Sequence, residues 1–264
     1  ETVSYSISGG GDQAKFDLNA TTGILTFKTA PDFEIPTDAD NNNAYVVEVN
    51  ASDGTAWDLQ TVTVTVTDVI EIFKPQTTAE LQAAVNLWIS DKATALSAHG
   101  EINTWDVSLI TNVINLFRSK PTFNDDISNW DVSNVTRFES MFQSASVFNQ
   151  DLSSWDVSSA SHLGDIFRDA SSFNQDISDW NVSGVSSMSG VFNGASSFNQ
   201  DLSSWDVSSV NNMQNMFLDA DSLSAANKIL MHSSFSTNSN WSYGWSFKPQ
   251  TTAELQAAVN LWIS

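Results

Sequence analysis

One motif returns through the middle of the chain at a fixed interval. FNDDISNWDVSNV begins at Phe123, FNQDLSSWDVSSA at Phe148, FNQDISDWNVSGV at Phe173 and FNQDLSSWDVSSV at Phe198. A partial copy, GEINTWDVSLI, begins at Gly100. The tryptophans fall at Trp105, Trp130, Trp155, Trp180 and Trp205, and a second aromatic series runs Phe117, Phe142, Phe167, Phe192, Phe217, every step being 25 residues. A period of this length restricts the chain to an array in which each unit buries its apolar face only against its neighbours.

Within one unit, Ile127, Trp130, Val132 and Val135 have the spacing of a leucine-rich repeat with Trp in the middle, and Phe138, Met141, Phe142 and Ala145 follow at helical spacing. The expectation is a short strand and one or two helical turns per unit, the strands stacking in parallel about 4.8 Å apart. Each buried ring contributes roughly 2–3 kcal/mol, so the aromatic series dominate the predicted core. The predicted fold for residues 73–246 is thus an α/β, leucine-rich-repeat-like, right-handed solenoid of about five coils. Its ends need covers. Residues 73–99 are the predicted helical N-cap: Thr77 or Thr78 precedes Glu80 in a capping box, and Leu81, Ala84, Val85 and Trp88 make one apolar stripe. Residues 222–246, with SAANKILMHSSF and then Trp241 and Trp245, are the predicted C-terminal cap. Residues 247–264 repeat residues 73–90 without a change. They are read as the start of a tandem copy, within a longer protein.

Residues 1–72 alternate as short strands: Val3, Tyr5 and Ile7, then Phe16 and Leu18, Tyr45, Val47 and Val49, and Val62, Val64 and Val66, with TTG at 21–23 as a hairpin turn. PDFEIPTDADNNNAY, SDG and VTVTVTDVIE resemble a cadherin-like repeat of the microbial type over about 70 residues. The resemblance implies an all-β sandwich, incomplete at its N-terminus, and calcium held by a DRE-type motif, here Asp32-Phe33-Glu34, with an acidic linker, here Asp68-Val69-Ile70-Glu71. The linker departs from the usual NDN. Asp32, Glu34, Asp68 and Glu71 are therefore the candidate calcium ligands; Asp38, Asp40, Asn41 and Asp53 also offer the oxygens calcium takes. The other reading of these residues is a solvated acidic loop with Asx turns.

Polar residues recur as well. Asn124, Asn149, Asn174 and Asn199 form a ladder read as stacked amides satisfying backbone groups. Asp106, Asp131, Asp156, Asn181 and Asp206 form a second, Asp126, Asp151, Asp176 and Asp201 a third, and Ser128, Ser153, Ser178 and Ser203 a fourth. Strand alternation places such residues on an outer sheet face. Asp106, Asp131, Asp156 and Asp206 with Ser153 and Ser203 are the candidate ligand face, where a cation, glycan or matrix protein would offset the repulsion of like charges, roughly 0.8 kcal/mol per pair near 5 Å in water. The competing reading is that each Asp accepts a local turn N–H.

The FNQDLSSWDVSSV and MF elements resemble the BspA-type leucine-rich-repeat surface proteins, over residues 73–246. The resemblance implies a secreted or cell-surface protein with a role in adhesion, and it brings no catalytic residues.

Composition narrows the function classes further. A formal net charge of −21 with ten Lys plus Arg disfavours nucleic acid and anionic membranes. Without Cys there is no disulfide framework or thiolate metal site. No run is long and apolar enough to span a membrane, and ETVSYSISGG has no signal-peptide pattern. His99, His162 and His232 make no metal pair. Laddered carboxylates are repeated for packing, whereas a catalytic pair is singular. The expectation is a non-enzymatic extracellular or cell-surface protein, part of a tandem-repeat stalk or filament whose partners are neighbouring copies. The alternative is an adhesin binding glycan or matrix protein through the Asp/Ser face.

Overall fold

The rings spaced one period apart lie on one another in the computed structural model, which describes residues 2–67 and 71–245. The chain divides into two compact units, Glu1–Glu71 and Ile72–Ser264.

In the first unit, β1 (Ser4–Gly9), β4 (Ala44–Ser52) and β5 (Trp57–Thr65) form an antiparallel sheet in the order β1-β4-β5, and β2 (Phe16–Leu18) pairs with β3 (Leu25–Phe27). The β2–β3 hairpin closes as TTG suggested: Asn19 Oδ1 accepts the N–H groups of Thr21 and Thr22, and Gly23 takes φ +70, beneath the Tyr5 ring. The core is small. Phe16, Tyr45 and Val47 are its fully buried members; Phe16 stacks on Phe27 at 4.6 Å and Tyr45 meets Phe27 edge-on at 5.0 Å. Strand β5 stays largely exposed, Trp57 at 71%.

The second unit carries one continuous core, from Leu81 to Phe235. Phe117, Phe142, Phe167, Phe192 and Phe217 stack in succession with centroids 5.4, 5.6, 5.8 and 5.4 Å apart. Phe123, Phe148, Phe173 and Phe198 form a parallel ladder at 5.8, 6.2 and 6.3 Å. Each ring of one ladder touches its partner in the other at 3.8–4.0 Å. The indoles have a polar handle, and it is used. Nε1 of Trp130, Trp155, Trp180 and Trp205 donates to the carbonyl of Ile102, Ile127, Leu152 and Ile177, each in the preceding repeat, at 2.7–3.2 Å.

The backbone is also bonded one period away. In the second repeat, the N–H groups of Phe138, Ser140, Phe142 and Ser144 donate to the carbonyls of His162, Gly164, Ile166 and Arg168, and Thr136 N–H donates back to Thr111. This goes with two left-handed residues per repeat, four apart: φ is 57° at Ser140, 59° at Ser144, 55° at Asp165 and 56° at Asp169.

Those angles overturn the predicted fold. A right-handed helix through Phe138, Met141, Phe142 and Ala145 is incompatible with left-handed residues at 140 and 144, and the N–H groups such a helix would use inside itself go to the next repeat. The predicted strand at Trp130–Val135 is broken by turns, Trp130 N–H to Ile127 and Val135 N–H to Val132. Instead of a parallel sheet there are single-residue parallel bridges, Asn112–Arg137–His162–Ser187–Asn212. The α/β leucine-rich-repeat-like right-handed solenoid is therefore not present; the repeats are mostly irregular, built of turns. Nor is there a cadherin-like sandwich: the first unit has a three-stranded and a two-stranded sheet around three buried side chains.

Helices stand at the two ends of the described repeats. Helix α1 (Thr78–Ser90) starts on Thr77, whose side chain accepts Glu80 N–H while Glu80 Oε2 accepts Gln76 N–H, and it buries Leu81, Ala84, Val85 and Trp88. Helix α2 (Lys92–His99) follows directly, capped by Asp91. Helix α3 (Ala225–Phe235), capped by Ser224, buries Met231 and Phe235, and Trp241, Tyr243 and Trp245 cluster on Phe217. Residues 247–264, read as a tandem copy, lie outside the described residues.

Gly190 and Gly194 fill, in the fourth repeat, the left-handed positions that Asn, Ser and Asp hold elsewhere, at φ +63 and +71. A Cβ there would strike the carboxylates of Asp165 and Asp169 in the preceding repeat. Gly190→Ala and Gly194→Ala should each lower stability by roughly 1–2 kcal/mol in urea unfolding. Gly164→Ala, whose φ is not left-handed and whose Cβ would meet only ordinary contacts, should leave the midpoint nearly unchanged.

Candidate functional site

The repeats around Trp130, Trp155, Trp180 and Trp205 each hold an Asx turn on either side of the tryptophan, and the repeat around Trp105 holds the one after it. In the first, Oδ1 of Asp126, Asp151, Asp176 and Asp201 accepts the N–H of Ser128, Ser153, Ser178 and Ser203 at 2.8–2.9 Å. In the second, Asp106, Asp131, Asp156 and Asp206 accept from Ser108, Ser133, Ser158 and Ser208 at 2.9–3.1 Å, and Asn181 accepts from Ser183 at 3.3 Å. A short side-chain acceptor two residues before a free N–H competes with strand pairing. That is why no strand forms here, and why the predicted polar sheet face is replaced by two rows of Asx turns. The candidate face divides between the rows: Ser153 and Ser203 belong to the first, Asp106, Asp131, Asp156 and Asp206 to the second. Of the two sequence readings, the geometry matches the turn reading.

These bonds favour the ionised carboxylate. Asp106 is pushed down to about 2, chiefly by the Lys74 ammonium at 2.6 Å and then by Ser108. Asp156 and Asp206 are lowered by the hydroxyl and then the N–H of Ser158 and Ser208, and Asp151 by the N–H and then the hydroxyl of Ser153. A recess of about 240 Å³ opens beside the first row, lined by Asp151, Ser153, Gln175, Asp176 and Asp179.

The asparagine ladder is a continuous chain of amides. Oδ1 of Asn124, Asn149, Asn174 and Asn199 accepts the N–H of Asn149, Asn174, Asn199 and Ser224 at 2.8–2.9 Å. Sequence reasoning missed its companion: Nε2 of Gln150, Gln175 and Gln200 donates to the carbonyl of the asparagine one repeat back at 2.9–3.0 Å. The signal was present in the return of Gln in three of the four copies, as FNQD.

Three of the four calcium candidates, Asp32, Glu34 and Glu71, are among the described residues. Asp32 and Glu34 are exposed; Asp32 Oδ1 accepts the N–H groups of Glu34 and Ile35, and the carboxylate lines a recess it shares with Lys15 and Lys28, whose ammonium groups disfavour a cation. Glu71 is exposed and Asp68 lies outside the described residues. Among the described residues no three His, Cys, Asp or Glu are grouped to hold a metal ion. The loop carboxylates instead build the loop. Asp12, which the sequence did not single out, is 4% exposed and accepts N–H groups from Ala39 at 2.6 Å and Val46 at 2.7 Å. Asp38, 5% exposed, accepts those of Asn42 and Asn43. Burial opposes its charge, but these N–H groups hold its carboxyl below the ordinary range, while its contact with Asp40 pushes Asp40 up.

The histidines are packing residues: His99 lies 4.1 Å from the Phe73 ring, His162 Nδ1 meets Ser161 Oγ, and His232 Nδ1 accepts from Trp241 Nε1 at 3.0 Å.

A family model described as DUF285, Mycoplasma protein of unknown function, matches residues 89–189 and again residues 161–252. No curated protein matches the chain.

Because Asp106 is depressed in the folded state, its contribution is complete above about pH 4 and is lost as the pH falls from there toward about 2. The pair is partly exposed and contributes no more than about 1 kcal/mol. Lys74→Met should lower Tm slightly at pH 7, and the difference from the natural chain should shrink to nothing near pH 2. A difference independent of pH would show that the loss is one of packing alone.

Proposed function

The chain belongs to the DUF285 family, and we propose, from its repeats, that it is a non-enzymatic extracellular protein with a structural and adhesive role, a segment of a long tandem-repeat stalk or filament at the cell surface. The observation that carries the proposal is the use of the repeated polar groups. Asp side chains close turns, Asn and Gln side chains join neighbouring repeats, and the tryptophan N–H groups bond the preceding repeat. Groups committed in this way do mechanical work along the array. Lengthening such an array adds contact without adding chemistry. The resemblance of the 25-residue motif to bacterial surface-protein repeats supports the location, and the −21 charge suits a surface exposed to salty medium. Neighbouring copies are the first partners.

A second reading is favoured by one feature, the recess at Asp151, Ser153, Gln175, Asp176 and Asp179. There the free carboxylate oxygens and an amide suit the hydroxyl groups of a glycan, or a basic patch of a matrix protein. At about 240 Å³ it holds one sugar-sized group, below the usual range for ligand pockets. Calcium belongs to the proposal only through the resemblance of residues 1–72.

Immunogold electron microscopy of the source cells with antibody to this chain should label beaded filaments at the surface; label confined inside the cells would refute the proposal. Glycan and matrix-protein binding at fixed salt, with and without EGTA, divides the two readings. Sub-millimolar binding lost in Asp151→Ala and Asp176→Ala supports the adhesin. A melting curve unmoved by EGTA removes calcium.

A further inference from the structure

The large apolar side chain most open to water among the described residues is an indole, Trp57, 71% exposed. Tryptophan ordinarily stabilises a fold by being buried, as Trp105, Trp130, Trp155, Trp180 and Trp205 are in the repeats. Trp57 opens β5 at the tip of the β4–β5 hairpin, opposite Ser52. The tip is fixed by its own bonds. Asp53 Oδ1 accepts the N–H groups of Thr55 at 2.8 Å and Ala56 at 2.7 Å, Ser52 Oγ donates to Ala56 O at 2.9 Å, and Gly54 turns at φ +91. An ordered turn therefore presents the ring to solvent.

Beside the ring lies a recess of about 250 Å³, with apolar walls from Val3, Ala51 and Ala56 and two carboxylates, Asp53 and Asp58. Both carboxylates have oxygens to spare: Asp53 spends only Oδ1 on its turn, and Asp58 is exposed and has no partner among the described residues. The N–H groups of Ala56 and then Thr55 hold the Asp53 carboxyl below the ordinary range, so it is charged at neutral pH. No basic residue of the first unit competes for this charge. Positions 1–71 hold twelve Asp and Glu against Lys15 and Lys28, and both lysines line the recess beside Phe27 and Tyr45 instead. Each part of the surface favours an organic cation. The face of an indole is the negative pole of its quadrupole and attracts positive charge, the carboxylates pair with it, and the apolar walls take a methylene stem. A guanidinium meets all three demands, because it stacks on an aromatic face and forks to a carboxylate, whereas an ammonium is a point charge. We infer that the tip of the β4–β5 hairpin binds an arginine side chain of a basic partner protein, held by Trp57, Asp53 and Asp58. The formal charge of −21 steers such a partner toward the chain. The site gives the adhesive reading a surface in the first unit, and it does not depend on the recess at Asp151.

The test is a titration of the isotope-labelled full chain with N-acetyl-arginine amide at low salt, followed by nuclear magnetic resonance at the Trp57 indole N–H, which is identified by its loss in Trp57→Leu. The resonance should shift and saturate. N-acetyl-citrulline amide, which has nearly the same shape without the charge, should barely move it. Asp58→Asn should raise the arginine concentration required by about threefold. Trp57→Leu, followed at the Gly54 amide, should raise it by about fivefold. Both substituted side chains are exposed, so the fold should be retained. Raising the salt to about 0.5 M should weaken binding in every case, and the Asp151→Ala, Asp176→Ala chain should titrate like the unaltered one. A Trp57 resonance that the arginine probe leaves in place overturns the inference. So does one that citrulline moves as far, or one moved by methyl glycosides and not by arginine, since either result puts an uncharged ligand on the ring. None of these outcomes bears on surface labelling of the source cells, so the hairpin site and the filament reading fall separately.

Discussion

A phenylalanine ring lying on the phenylalanine of the next repeat, with an indole N–H reaching back to a carbonyl of the previous one, is the contact from which the rest of this structure follows. The rings are fully buried, yet no repeat has an interior of its own; burial is achieved between repeats. The backbone obeys the same rule. Its N–H groups leave the repeat and bond one period away, with two left-handed residues four apart in each repeat, which rules out local helix there. Ends are then a necessity. The outer rung at Trp105 is covered by α1, and the outer rung at Phe217 by the aromatic cluster that follows α3.

The polar ladders solve a second problem, that of a chain with a formal charge of −21 stacking like charges at a spacing set by the rings. Ionised Asp is stabilised where it stands by turn N–H and hydroxyl groups, so the repulsion is met within each turn. Asn and Gln carry no charge and take the positions that join repeats. This division leaves the surface acidic and the seams neutral.

Much of this was legible in the sequence. Constant spacing of Trp and Phe announced stacked rings; the helical stripe of Leu81, Ala84, Val85 and Trp88, the Glu80 capping box, the TTG turn and the amide ladder at Asn149 all read correctly from residue type and interval. The conformation inside each repeat did not. Phe138, Met141, Phe142 and Ala145 have helical spacing, and nothing in that pattern reveals that Ser140 and Ser144 are left-handed, since serine shows no preference for that region as glycine does; the hint lay in the equivalent positions of other repeats, Gly190 and Gly194 and also Asn115, Asp165 and Asn215, residue types that enter that region more readily. Trp130 and Val132 alternate as a strand would, but Asp131 between them closes a turn with Ser133, a competition that periodicity does not weigh. At the candidate site the sequence offered two roles for the ladder carboxylates, and the choice between them depended on hydrogen-bond geometry. Of the calcium candidates, Asp32 serves its own turn, and Asp68 lies outside the described residues.

The central claim is that registry at 25 residues, and not any single repeat, holds the second unit together. Deletion of residues 148–172 removes one full period: Phe173 then follows Phe123 in its ladder, and Asn124 Oδ1 meets Asn174 N–H. Deletion of residues 148–159 removes fewer residues but breaks every ladder. Thermal unfolding followed by near-ultraviolet circular dichroism of the tryptophans compares them. The account predicts a single cooperative transition with the tryptophan signal retained in the full-period deletion, and loss of both in the shorter one. Two deletions that melt alike would contradict it.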